Sequence, residues 1–413
     1  MSSRNTAISN TIVELISFFR PYPRYKFVKK AGVGSQGVAA CFSDLEASPD
    51  GWKKFIVKID YRGEQRDALE EEAQMLRTLR WAKHIVTSIQ LGDDPLQPSQ
   101  IVNRSSKKAF LIMEYLPNGT LLEFVERYYE VTNRRLPNRI LWQIFFCLAR
   151  GCAAMAFPPG DPTTSPSGPL DQLLETVPLD ATQNEGNNLV QQDLHEGNVM
   201  FGDIEPPTTS RTQSLRQIEH VPVPTLKLID FGFAKELNDY ENSAASTYDD
   251  DLGLGAIHQR EMDRLFRAGR PEEPNPDITP DHVNRPGWKN PFAPQNTDFA
   301  HNPGMSRNIG QIGCIMIGLL IKEEVNVLNA ARTWILRLTK ARQNGADPNL
   351  DDDLVLLAAR CVAEDPMLRP RLSQLLALLQ GYIFMKTETY YANINEETDS
   401  YITRALQYFM FDA

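Results

Sequence analysis

A glycine-rich loop set between two β-prone runs constrains the fold of this chain more than any other feature. The segment Gly32-Val33-Gly34-Ser35-Gln36-Gly37-Val38-Ala39 has G-x-G-x-x-G spacing and divides Phe27 to Phe42 into strand, turn and strand. Glycines let the backbone bend sharply and bring N–H groups against phosphate oxygens. In a dinucleotide-binding fold such a loop joins a strand to a helix. A strand on each side argues against that fold and for a hairpin laid over an anion. An ordinary Gly-rich hairpin would show the same letters, so the rest of the chain has to decide.

Around the loop the chain is strand-rich. Phe55 to Asp60 is a short β-prone run, and further strands are expected near 85–91 and at Ala109 to Glu114. Between them, residues 66–80 place Ala68, Leu69, Met75, Leu76 and Leu79 on one side of a helix. Past the Asn118-Gly119 turn the pattern becomes helical. Asn138 to Phe157 is amphipathic and stops at Pro158. Ile309 to Ile321, Glu324 to Thr339, Leu354 to Ala363 and Leu372 to Tyr382 also read as helices. Residues 158–188 and 204–223 have the composition of surface insertions, the first with a helical island at Asp171 to Thr176. Residues 233–305 show little periodicity. Residues 11–20 form a short docking helix within an N-terminal extension, 1–24, and 386–413 is a C-terminal extension. The class is α+β, and no repeat is present.

At 413 residues and 42% apolar content the chain can bury one large core or two packed ones. A net charge of -10 argues against a general nucleic-acid binder, although a local basic patch can persist inside an acidic total. Five cysteines without metal-like spacing read as buried reduced thiols of an intracellular protein, cytoplasmic or nuclear. The N-terminus lacks the order of a signal peptide, and the run Ile309 to Ile321 is too short to span a bilayer.

Two acidic clusters carry the chemistry. Asp193-Leu194-His195-Glu196-Gly197-Asn198 puts an Asp five residues before an Asn, and Asp230-Phe231-Gly232 follows a β-prone run. Magnesium takes hard oxygen ligands, usually one or two from protein, with phosphate and water completing its shell. Asn198 and Asp230 suit that need, which leaves Asp193 to orient an acceptor hydroxyl. Turn residues of these types are also common for purely local reasons. Lys58 stands inside the apolar Ile56-Val57-Lys58 run, where an edge strand would keep its charge in water. Among Glu70, Glu71 and Glu72, the last shares the inward face with Met75, Leu76 and Leu79, and a helix Glu is one means of aiming a strand Lys at phosphates.

The order of Gly loop, strand Lys, helix Glu, Asp-x4-Asn and Asp-Phe-Gly resembles the eukaryotic protein kinase superfamily over about residues 25–385. Ala293-Pro294-Gln295 and Asp365-Pro366-Met367-Leu368-Arg369-Pro370 extend the likeness, and the long insertions are similar to those of divergent, fungal-type members. The resemblance implies a five-stranded antiparallel N-lobe with one key helix (25–116) and a mainly helical C-lobe (117–385). It implies ATP and Mg2+ as cofactors, and transfer to a protein hydroxyl, serine or threonine rather than tyrosine. By the same resemblance the nucleotide meets Gly32, Val33, Gly34, Gly37, Val38, Ile56, Lys58, Met113, Glu114, Leu116 and Met200. Asn198 and Asp230 bind the metal, and Asp193, Lys58, Glu72 and His195 serve catalysis. Four supporting positions depart from the family: Gln191 and Gln192 replace His-Arg, Gln295 replaces Glu, and Asn308 replaces Asp. Gln191 and Asn308 are expected to substitute one buried hydrogen-bonded anchor for another. Gln192 removes the Arg that a phosphorylated activation segment usually pairs with. The string Asp193-Leu194-His195 is also similar to choline and aminoglycoside phosphotransferases, so a small-molecule acceptor stays open, as does a kinase-fold scaffold without turnover.

Overall fold

A computed structural model of the chain describes residues 2–34, 37–48, 51–60, 66–91, 110–161, 173–178, 186–203, 220, 222–237, 302–321, 338, 348–363 and 369–411. The fold is mixed α+β. Strands β1 (Tyr25–Val33), β2 (Val38–Asp44), β3 (Lys54–Ile59) and β4 (Phe110–Glu114) form one antiparallel sheet in sequence order. Cross-strand register sorts its two faces, because alternate residues of a strand point to opposite sides. Val38, Ala40 and Phe42 lie opposite Ile59, Val57 and Phe55, and all six are buried in one cluster. Helix α1 (Ser2–Phe19) closes that face, with Phe18 stacked on Phe110 at 5.2 Å and Phe19 against Phe42 at 4.5 Å. The helix begins well before residue 11 because its buried stripe does: Ile8, Thr11, Leu15 and Phe19 repeat at helical spacing.

The other sheet face carries Ala39, Lys58 and Leu111 side by side, with Ile56 beside Met113. Helix α2 (Arg66–Leu79) buries Leu69, Ala73, Leu76 and Leu79 in the second, larger core. Helix α3 (Leu121–Thr132) starts at a capping box in which Thr120 and Glu123 satisfy each other's backbone N–H, and ends at Asn133 in the left-handed region. Helix α4 (Asn138–Ala156) runs through the middle of that core. Strand β5 (Leu189–Val190) pairs with β8 (Lys235–Glu236), and β6 (Val199–Phe201) with β7 (Leu226–Leu228). Helices α5 (Pro303–Ile321), α6 (Asp352–Cys361) and α7 (Leu372–Met385) complete the helical part. All five cysteines are buried and free of disulfides.

The C-terminal segment docks onto this helical part through helix α8 (Asp399–Leu406) and a π-helical turn, Gln407–Phe411. Helix α4 has no side-chain cap of its own after Pro137. Glu397 supplies one from across the fold, its carboxylate accepting from the N–H groups of Asn138 (2.6 Å) and Arg139 (3.0 Å). A carboxylate at a helix N-terminus satisfies orphan donors and faces the positive end of the dipole.

Several sequence expectations are corrected. The strand near 85–91 does not form, because its backbone divides itself between two partners. Val86 donates to Leu228 O, Ile89 donates to Ile112 O, and the Thr87 N–H goes to the Glu114 side chain. The sheet therefore has four strands among the described residues. Residues 173–178 are not helical: Leu173 pairs with Ala82, exchanging bonds with Trp81 O and Lys83 N–H. Nor is that insertion wholly superficial, since Glu175 is fully buried. Helix α5 begins at Pro303, ahead of the apolar run, and so reaches 19 residues. By length and composition α4 and α5 could each cross a membrane, and both are mostly buried within the molecule as core helices are. The expected 324–339 helix lies outside the described residues apart from Leu338, and so do Ala293-Pro294-Gln295 and residues 365–368. Arg369 is buried and donates to Ala363 O and Ser306 O.

Candidate functional site

Lys58 sits on β3, an interior strand flanked by β2 and β4, so the edge-strand reading of this lysine is excluded. Its stem is 7% exposed, and its ammonium must find partners inside the protein. Glu72 is one: Nζ lies 2.9 and 2.7 Å from its two carboxylate oxygens. The α2 stripe explains the choice, since Glu72 is buried in line with Leu69, Ala73 and Leu76 while Glu71 is exposed and Glu70 half-buried. Asp230 is the other partner, at 2.7 Å from Nζ.

Asp230 reaches this position through backbone shape. It follows β7 with φ at 56°, a conformation Asp tolerates better than most residues. Ile229 donates to Asn198 O, which ties the two acidic clusters together. Phe231 is fully buried, and its N–H donates to Glu72. Burial works to lower the Lys58 pKa, but the Glu72 and Asp230 charges outweigh it and hold the ammonium protonated. Burial pushes the Asp230 carboxyl up, and Lys58 with the Gly232 N–H brings it below its ordinary value. One cation and two anions thus form a chain from buried Glu72 on α2 through Lys58 to half-buried Asp230 beyond β7.

The 191–198 loop is fixed from behind by the amides. Gln191 is fully buried; its N–H donates to Asn308 Oδ1 (3.2 Å), and Asn308 Nδ2 donates to Leu189 O (2.8 Å). The Gln191 side chain then accepts from the Asp193 N–H (2.9 Å) and donates to Asp230 O (2.9 Å). Two uncharged side chains therefore tie α5, the loop and the Asp230 turn together, as the sequence led us to expect. Asn198 Nδ2 donates to Asp193 O (2.8 Å) and Oδ2 (3.2 Å). His195 is turned into its own loop, its Nδ1 accepting from Gly197 N–H, with Nε2 3.9 Å from Asp193 Oδ1.

Lys58, Glu72, Asn198 and Asp230 meet on the wall of a cleft of about 430 Å³. Gly32, Val33, Gly34, Gly37, Ile56, Lys58, Glu72, Met113, Glu114, Leu116, Asn198, Met200 and Asp230 all line it. The volume falls within the range of small-molecule sites. Gly37 is required by space, since a Cβ there would lie 2.6 Å from Ile59 O. Ser35 and Gln36 lie outside the described residues. Asp193 and His195 are a quarter exposed and lie outside the lining. Val38 is corrected: it is fully buried on the α1 side of the sheet, and Ala39 faces the cleft instead. Glu114 lines the cleft with its side chain committed elsewhere, to Lys227 Nζ (2.7 Å) and the Thr87 N–H (2.7 Å). Sequence reasoning missed Ala39 and Lys29 on the cleft wall, and Lys227 as the partner of Glu114. Strand alternation could have found Ala39, two residues from Cys41 and opposite Lys58.

The donor set suits a hard cation next to a polyanion. With its Nδ2 engaged by Asp193, Asn198 offers Oδ1, and Asp230 offers a carboxylate beside an ammonium, all on the wall of one cleft. Comparison with models of known protein families finds none that matches the chain, and comparison with curated proteins finds no match either.

Proposed function

We propose that this chain is an ATP-dependent phosphotransferase of two-lobed, protein-kinase-like fold, passing the γ-phosphate to a serine or threonine hydroxyl of a protein. The observation that carries the reading is the ion-paired chain of buried Lys58 and Glu72 with half-buried Asp230, all lining a cleft that three glycines of the Gly-rich loop also line. Such catalysis consists mostly of positioning and charge stabilisation, and these side chains are the parts it needs. Lys58, aimed by Glu72, meets phosphate oxygens. The apolar walls of Ile56, Met113 and Met200 suit a flat base. Asn198 and Asp230 would hold Mg2+, which supplies neutralisation of phosphate charge. Asp193, one carboxylate oxygen held by Asn198, accepts the proton of the acceptor hydroxyl.

The test is ATP turnover by wild type and Asp193→Asn, with a generic protein mixture and small alcohols as separate acceptors. Loss of about 10²- to 10⁴-fold is expected for a missing proton acceptor, with nucleotide binding retained. Label on the alcohols alone would move the acceptor to the small-molecule class. Equal turnover in both proteins would remove Asp193 from the chemistry, and none in either would leave a scaffold.

A further inference from the structure

Away from the cleft, three segments bring His84, Cys147 and His220 together inside the helical core. His84 follows α2, Cys147 lies on α4, and His220 precedes β7. All are at most 2% exposed, and their donor atoms lie within 4.8 Å of one another. The two imidazole rings are 5.1 Å apart, and His220 Nδ1 is 3.7 Å from Cys147 Sγ. The Nε2 atoms of both histidines are buried without a hydrogen-bond partner. Such orphaned nitrogens are rare, because a buried polar atom normally finds a partner. Fully buried Glu175 completes the group, 2.7 Å from His84 Nδ1 and also bonded to the His84 N–H.

We propose that His84, Cys147 and His220 bind one borderline-soft divalent transition ion, zinc by its chemistry, with Glu175 orienting His84 from behind. Imidazole and thiolate are the ligands such an ion prefers, and three protein ligands leave a fourth position for water. A carboxylate on the far ring nitrogen of a ligating histidine fixes its tautomer and leaves the other lone pair free for the metal. Glu175 stands in that relation to His84 Nε2. On binding, the Cys147 S–H bond breaks, a sulfur–metal bond forms, and the proton leaves to buffer. The thiolate and the Glu175 carboxylate offset the charge of one dication, with the Arg150 and Lys83 cations acting on the same cluster. The ion would staple the chain around Glu175 and the approach to β7 onto α4. It acts on structure and is independent of phosphoryl transfer.

The test uses the full chain, purified without chelator and assayed for bound metal, then stripped and titrated with zinc or Co(II). The site predicts close to one zinc per chain, a zinc-dependent rise in melting temperature, and a thiolate-to-Co(II) charge-transfer band. Cys147→Ala should lose the band, and Glu175→Gln should weaken binding about 10- to 100-fold. Stripped wild-type protein that shows neither a melting shift with zinc nor the band with Co(II) would overturn the proposal. Because that arm needs no variant, a misfolded mutant leaves the answer intact.

Discussion

Replacing Asn308 with Ala tests whether an amide network can hold the loop that carries Asp193. Asn308 is 1% exposed, and both ends of its amide are engaged, with Gln191 N–H and Leu189 O. Truncation leaves one backbone donor and one acceptor buried without partners, at about 1–3 kcal/mol each. The expected loss is therefore roughly 2–6 kcal/mol out of the roughly 5–15 kcal/mol that stabilises a typical native protein. Urea unfolding followed by circular dichroism should show a lower midpoint with an unchanged slope. Asn308→Asp sharpens the test: it still accepts from Gln191 but sets a carboxylate oxygen against the Leu189 carbonyl, so it should not rescue. On the proposed phosphotransferase reading, turnover should fall with stability, because Gln191 holds both the Asp193 N–H and Asp230 O. A shift below about 0.5 kcal/mol, the range of ordinary surface changes, together with wild-type turnover would refute the reasoning.

Three further outcomes are expected. Val38→Ala should cost about 2 kcal/mol in urea unfolding through lost apolar burial and leave nucleotide affinity unchanged, whereas Ala39→Phe should fill the cleft and abolish binding. Glu397→Ala removes three charge-assisted bonds from the start of α4, two from backbone N–H groups and one from the Asn138 side chain, and should cost about 2 kcal/mol or more by the same assay. Burial pushes the Asp351 carboxyl up, but bonds from Lys386 and Tyr391 outweigh it and hold the pKa below its unfolded value of 3.8. Its stabilisation is thus full above that value and is lost as pH falls through the lower folded pKa. Asp351→Asn should flatten the acid limb of a stability-versus-pH curve.

What the sequence revealed follows from the range of the forces involved. Strand and helix positions around Lys58 and Glu72 are set by local periodicity, and a charged residue on a buried stripe must point at its partner, so Glu72 could be chosen over Glu70 and Glu71. Asp193, Asn198 and Asp230 stood out in the sequence by residue type and spacing, and the structure brings Asn198 and Asp230 to the wall of one cleft. Alternation was misapplied at Val38, where one position changes the face. The segment near 85–91 looked like a strand because its apolar residues are all buried, but its hydrogen bonds go partly to Leu228, far along the chain. Glu397 over α4 and Glu175 against His84 join residues more than ninety positions apart. No window of sequence contains such a pair.

The most direct measurement is calorimetric titration of ATP into the wild-type chain and Asp230→Asn, each with and without magnesium. A metal-binding Asp230 predicts that wild-type affinity rises with magnesium and that the variant loses this dependence while remaining folded. Equal ATP binding by both proteins, indifferent to magnesium, would contradict the account.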